Sequence, residues 1–200
     1  YGEETVAEHV FGLLLCISHN LREAMDRTRR GDFSQRGLQG FDLKNKTLGV
    51  IGTGSIGQHV ISIARGFHMN VLAYDLKPDK DLESRLGFRY ADFDELLRGS
   101  DIVTLHVPGG DRTRHLLDGD AFHKMKKGAV LINTSRGDVV EIKALMHALS
   151  DGHVAAAGLD VLPEEPVIRE EAELLRNAFK KEHDLETLLA DHILLRLRNV

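Results

Sequence analysis

The segment Leu48-Gly49-Val50-Ile51-Gly52-Thr53-Gly54-Ser55-Ile56-Gly57 constrains the chain more than any other. A short apolar run ends in G-x-G-x-x-G, and a helical pattern follows at once. Each glycine meets a separate demand: Gly52 permits a tight turn, Gly54 lets a phosphate group come close to the backbone, and Gly57 lets the helix pack tightly on the strand. The helix that follows offers unpaired N–H groups and the positive end of its dipole to an anion. A strand–glycine loop–helix unit of this kind binds a dinucleotide.

The rest of the chain repeats that alternation. Short apolar runs lie at Thr47 to Ile51, Val71 to Tyr74, Ile102 to Val107, Ala129 to Ile132 and Val154 to Leu159, with a weaker one at Phe88-Tyr90. Between them lie helical patterns at Ser55–Phe67, Phe93–Leu97 and Glu141–Leu149. Strand and helix in alternation predict βαβ units, and right-handed crossovers place helices on both faces of a parallel sheet. The expected fold is α/β, a doubly wound parallel sheet of Rossmann type, and residues 1–200 are expected to form one domain.

Before this region, Thr5-Val6-Ala7-Glu8 has the form of a capping box. Apolar residues at Val10, Phe11, Leu14, Ile17, Leu21 and Met25 predict one long helix, ended by a basic turn and Gly31. Its leucine-rich stretch shows apolar residues on more than one face, which suits burial against a partner or against its own sheet. After Pro166, Arg169 to Lys181 reads as a further helix, and Asn199-Val200 as a strand that has begun.

Asp75 ends the second apolar run, eighteen residues after Gly57. An acid there hydrogen-bonds ribose hydroxyls, and its charge repels a 2′-phosphate, so NAD is favoured over NADP; the nearby Lys77 works slightly against that preference. The glycine loop alone leaves FAD and S-adenosylmethionine open.

Composition narrows the partners. A net charge of -5 argues against nucleic acid or a polybasic membrane contact. No run reaches the roughly 18 apolar residues of a membrane span. The single cysteine, Cys16, reads as a buried small hydrophobe in a reducing cytoplasm. The eleven histidines show no ligand spacing with cysteine or paired carboxylates, so no metal is expected.

Three further stretches fall at the carboxyl ends of expected strands, where open α/β sheets bind ligands: Leu105-His106-Val107-Pro108, Asn133-Thr134-Ser135-Arg136-Gly137, and Gly158-Leu159-Asp160-Val161-Leu162-Pro163-Glu164-Glu165-Pro166. With the glycine loop they resemble the D-isomer-specific 2-hydroxyacid dehydrogenases, the family of D-lactate and D-3-phosphoglycerate dehydrogenases, over nearly the whole chain. The resemblance implies NAD as cofactor. It places Ser55 and Ile56 at the pyrophosphate and Asp75 at the ribose. Val107, Pro108 and Thr113 line the adenosine and pyrophosphate channel, with His106 structural or cofactor-lining. Thr134, Ser135 and Asp160 lie near the nicotinamide, with Asp160 accepting from its carboxamide. It makes Arg136 the substrate-binding arginine and Glu165 the acid that partners a catalytic histidine. A planar guanidinium suits the adjacent carboxylate and carbonyl of a 2-keto acid, and a histidine suits proton delivery near neutral pH.

The family's histidine follows the last strand in a segment resembling Thr-Pro-His. His183 and His192 precede that strand and neither adjoins proline, so no catalytic histidine is assigned. The chain opens on Tyr1 and is expected to be a fragment without the family's substrate domain, and inactive alone. Members of the family dimerise through this domain, which implies a homodimer. The length from Val167 to Arg198 favours the D-lactate branch. The alternative is an NAD(H)-sensing module like the family's corepressor relatives.

Overall fold

A computed structural model of the chain describes residues 2–163. Among these residues six strands form one parallel sheet: β1 (Thr47–Ile51), β2 (Asn70–Tyr74), β3 (Arg89–Tyr90), β4 (Ile102–Leu105), β5 (Ala129–Asn133) and β6 (Val154–Leu159). Their spatial order is β3-β2-β1-β4-β5-β6. Chain order reverses between β1 and β4, and a crevice for ligands opens at such a switch point. The inner strands are buried on both faces, which is why they read as continuous apolar runs rather than as alternation.

Helices cover both faces, as expected. On one side α1 (Glu3–Ser18), α3 (Ser55–Gly66) and α4 (Lys80–Leu86) place Val10, Leu14, Val60, Ile61 and Leu82 against Val50, Ile102, Val130 and Ile132 of the sheet. On the other, α5 (Phe93–Gly99), α6 (Gly119–Lys124) and α7 (Ile142–Ser150) place Leu97, Phe122 and Leu145 against Ile51, Val103, Leu105 and Leu131. Adjacent residues such as Val130 and Leu131 thus serve opposite cores, as the strand period of two requires.

Four expectations need correction. Helix α1 starts at Glu3 with Gly2 as its cap and no side-chain cap bond, so Thr5 lies inside the first turn and the capping box is absent. The opening helix is also two helices, α1 and α2 (Leu21–Arg29), broken at Asn20 with φ +50°. The break has a tertiary cause: the returning loop passes so close that Phe41 N–H donates to the Ser18 carbonyl at 2.9 Å, and a Cβ on Gly40 would lie 1.8 Å from that oxygen. Leu21 and Met25 are therefore exposed rather than part of the buried stripe. Cys16 is exposed too. The buried stripe of α1 is Ala7, Val10, Phe11, Leu14 and Ser18, and Cys16 lies off it.

The same helix packs on its own sheet, where Gly158 admits Leu13 and Ile17. Two helices were not expected. Helix α4 is capped by Asp79, which accepts from the N–H groups of Asp81 and Leu82, and closed by Gly87 at φ +70°. Helix α6 is capped by Asp118, which accepts from Ala121 N–H. Glu165, His183, His192, the expected helix at Arg169 to Lys181 and the expected strand at Asn199-Val200 lie outside the described residues.

Candidate functional site

Register builds the site. Tyr74, Ile51, Leu105, Asn133 and Leu159 end their strands and pair in one row across the sheet. The residues one step beyond are Asp75, Gly52, His106, Thr134 and Asp160, all singled out in the sequence. Hydrogen bonds carry the row past the strand ends: Gly52 N–H to Tyr74 O at 2.8 Å, His106 N–H to Ile51 O at 2.8 Å, and Asp160 N–H to Asn133 O at 3.0 Å.

The three loop glycines differ in what demands them. Gly52 has φ +96°, and a Cβ there would lie 2.7 Å from the His106 carbonyl oxygen. A Cβ on Gly57 would lie 2.1 Å from the Gly52 carbonyl oxygen, so the first turn of α3 can rest on the strand end only without a side chain. A Cβ on Gly54 would meet nothing within 4 Å among the described residues, and its φ of -64° is ordinary. The fold does not need glycine at 54. The open space beside it is a cradle that a side chain would fill, at the uncapped start of α3, as a pyrophosphate requires. Ile56 packs into the core below.

Ser55 is exposed, and its hydroxyl donates to the carboxylate of Glu3 in the first turn of α1. This contact joins residues 52 apart in sequence and was not foreseen.

Asp75 is tied down from two directions. Its Oδ2 accepts from Thr53 N–H at 2.8 Å and from the Thr53 hydroxyl at 3.0 Å, while Oδ1 accepts from Lys77 N–H at 2.9 Å. Burial pulls the carboxyl's pKa upward, but the bonds from Thr53, Lys77 and Leu76 outweigh it, and the group is held below the usual aspartate value. A carboxylate has about four acceptor positions. Thr53 takes two of them and Lys77 a third, and the Leu76 N–H acts on the carboxylate as well.

Across the switch point, His106 directs its ring inward. Nε2 lies 3.0 Å from the Thr104 hydroxyl, and burial lowers the ring's pKa from 6.5 to about 4. The ring is neutral at pH 7, consistent with a structural side chain whose backbone braces Gly52. Val107 lies over Gly52, and Pro108 is exposed, its carbonyl accepting from the Thr113 hydroxyl at 2.6 Å.

Beyond β5 the buried side chain of Asn133 shapes the loop. Its Oδ1 accepts from Ser135 N–H and Oγ at 3.0 and 2.8 Å, and its Nδ2 donates to the Arg136 carbonyl at 3.0 Å. Asn133 was quoted with its motif but given no role. Arg136 is exposed; Nη1 donates to the Ser135 carbonyl at 2.7 Å, and a Cβ on Gly109 would lie 2.9 Å from Arg136 Cγ, so the guanidinium stem runs along the loop after β4. Among the described residues the Thr134 hydroxyl is buried without a hydrogen-bond partner. Buried hydroxyls are paired as a rule, so this orphan marks a place where an outside polar group fits.

At the far end of the row Asp160 pairs with His9 of α1 at 3.3 Å, both side chains about half exposed (51% and 48%). His9 was also unforeseen. A screened pair of this kind contributes little stability. Among the described residues, no group of three or more His, Cys, Asp or Glu is placed to hold a metal ion, and no helix is long and apolar enough to cross a membrane.

Comparison with known proteins shows the family of the chain. The family described as "D-isomer specific 2-hydroxyacid dehydrogenase, NAD binding domain" matches residues 11–184. A 2-hydroxyacid dehydrogenase homolog of Haemophilus influenzae is 43% identical over 165 residues, covering 82% of this chain and 50% of that protein. A glyoxylate reductase of Thermococcus kodakarensis is 40% identical over 187 residues, covering 90% and 56%. The crystal structure of a D-lactate dehydrogenase from Aquifex aeolicus, complexed with NAD and lactic acid, superposes with a TM-score of 0.88 at 36% identity, covering 100% of this chain and 58% of that one. The chain thus spans about half the length of the curated relatives it matches.

Proposed function

The chain belongs to the D-isomer-specific 2-hydroxyacid dehydrogenases as their NAD-binding domain, and on that premise we propose that the protein carrying it interconverts a D-2-hydroxy acid and its 2-keto acid with NAD(H). The observation that carries this is the row Asp75–Gly52–His106–Thr134–Asp160, with the open cradle at Gly54 and the orphan hydroxyl of Thr134 along it. The residues fit a dinucleotide: Gly52, Gly54, Ser55, Ile56 and Gly57 for the pyrophosphate, Asp75 for the ribose, Val107, Pro108 and Thr113 for the channel between. Thr134, Ser135 and Asp160 serve the nicotinamide end.

When bound, NAD(H) supplies or accepts the hydride. The chain's own contribution is binding and charge. Arg136 holds the substrate carboxylate in a two-pronged contact and sets positive charge beside the carbonyl oxygen, where negative charge grows during reduction. Glu165 holds a histidine's ring in one tautomer and raises its pKa, so that it can donate a proton to that oxygen.

The substrate we favour is a small 2-keto acid such as pyruvate, because the Aquifex enzyme bound to lactic acid shares this whole fold. A homodimer in the cytoplasm completes the reading: Met25 of α2 and Phe33 in the loop after it expose apolar surface, and a single thiol suits a reducing compartment. The three relatives described above are named as dehydrogenases and a reductase, and none supports the sensing module.

Steady-state assays of the protein with NADH and pyruvate, glyoxylate or a larger 2-keto acid test the proposal. Arg136→Gln should lower kcat/KM by roughly a hundredfold or more. An Arg136→Gln enzyme with wild-type kcat/KM would remove Arg136 from the site, and absence of turnover with every 2-keto acid would remove the reaction.

A further inference from the structure

Asp75 does not hold its position alone. Its partner Thr53 is buried, and the Thr53 hydroxyl touches two groups: Asp75 Oδ2 at 3.0 Å and the phenol oxygen of Tyr90 at 2.9 Å. The carboxylate can only accept. The single hydroxyl proton of Thr53 therefore points at Asp75, and the Thr53 oxygen must accept from Tyr90. The chain of donors runs one way, from Tyr90 through Thr53 to Asp75.

Tyr90 is well placed to be rigid. It ends β3, the edge strand, in register with Ala73 of β2, two residues before Asp75. Its ring packs edge-on against Phe88 at 4.9 Å between centroids, and its backbone N–H donates to Glu83 of α4 at 2.8 Å. The residue is pinned by the sheet, by an aromatic neighbour and by a helix, yet its phenol reaches out of the sheet edge into the glycine loop.

We infer that Tyr90 is a positioning residue for cofactor discrimination: its phenol orients the Thr53 hydroxyl, which holds the Asp75 carboxylate where it accepts from a ribose hydroxyl and repels a 2′-phosphate. The inference rests on the ribose role proposed for Asp75. Donors in series polarise one another, so the terminal bond to Asp75 is stronger than an isolated Thr–Asp bond. Removing the phenol leaves the fold's contacts in place and loosens only the carboxylate.

The test is calorimetric titration of the full chain with NADH and with NADPH, using Tyr90→Phe, Thr53→Val, the double variant and Asp75→Ala. Tyr90→Phe keeps the ring against Phe88, and Thr53→Val keeps the branched shape at a buried site. Tyr90→Phe should weaken NADH binding about threefold to tenfold, the factor for one hydrogen bond, and leave NADPH unchanged or bound more tightly, because a looser carboxylate repels its 2′-phosphate less. In the Thr53→Val background it should change nothing further, because the relay is already cut.

An equal loss for both cofactors, or the same loss with and without the Thr53 hydroxyl, would overturn the inference by showing that Tyr90 acts through packing alone. So would unchanged NADH binding in Tyr90→Phe. If either result comes with an Asp75→Ala variant that narrows the NADH–NADPH gap, the ribose role of Asp75 stands and only the relay falls. If Asp75→Ala leaves the gap intact, both fall.

Discussion

The backbone N–H and the side-chain hydroxyl of Thr53 end on the same carboxylate oxygen of Asp75, at 2.8 and 3.0 Å. This ties the glycine loop to the end of the neighbouring strand. The Asp75 carboxyl is held below its ordinary value of 3.8, because the bonds from Thr53 and Lys77 outweigh the cost of burial. A depressed carboxyl stabilises the fold above the unfolded value and loses that contribution as pH falls through the folded one. Asp75→Ala should therefore cost about 1–2 kcal/mol near neutral pH, and the cost should shrink in acid below 3.8. Urea unfolding of both proteins across that range checks it; a constant difference would show that the charge of Asp75 contributes nothing.

His106 predicts a second pH effect of the same sign at higher pH. Burial lowers its ring pKa from 6.5 to about 4, so the folded state prefers the neutral ring. The stability tied to this group is complete above 6.5 and drains as pH falls from there toward about 4. His106→Gln should remove about 1–2 kcal/mol of the stability lost between roughly pH 7 and roughly pH 5. Denaturant titrations at the two pH values decide it: parallel losses in both proteins would mean the ring is solvated.

Gly54 and Gly57 should separate binding from folding. Gly54→Ala meets open space at an ordinary φ, so its Tm should stay within a few degrees of wild type while NADH affinity falls by about tenfold or more. Gly57→Ala places a Cβ 2.1 Å from the Gly52 carbonyl oxygen and should lose stability as well as affinity, by about 3 kcal/mol or more. Thermal melts beside NADH titrations read both. Normal NADH binding by Gly54→Ala would mean that the pyrophosphate lies elsewhere.

Thr134→Val should improve the chain and harm the site. Among the described residues the Thr134 hydroxyl is buried without a partner, a state that costs about 1–3 kcal/mol. Replacing it with a methyl group of similar size should raise the Tm of the ligand-free chain by a few degrees and weaken NADH binding. A variant that is less stable without ligand, or that binds NADH as tightly as wild type, contradicts the view that this hydroxyl is reserved for the cofactor.

The sheet and its binding edge were legible because their signals are local. Strands β1 and β6 match their apolar runs residue for residue; in β1 burial on both faces forces continuous apolar sequence, while β6 is apolar throughout although Ala155 is exposed. Helices α4 and α6 were not legible, although Asp79, Gly87 and Asp118 mark their ends. The fate of the opening helix was not legible either. Asn20 is a residue type that takes the left-handed conformation at helix ends, a local signal outweighed in the reading by the apolar spacing that runs on to Leu21 and Met25, and Phe41 takes the Ser18 carbonyl at the break.

The amino-acid sequence by itself determined the fold class, the glycine loop, the acid at the second strand end and the family, because each is written in a short run of residues whose spacing mirrors strand and helix geometry. Only the tertiary structure decided which distant side chains complete the site. Glu3 reaches Ser55, His9 reaches Asp160, and Tyr90 reaches Thr53 across separations of 52, 151 and 37 residues. No periodicity spans such distances: the contacts arise from where the parallel crossovers set α1 and β3 beside the binding edge, and that placement is a property of packing.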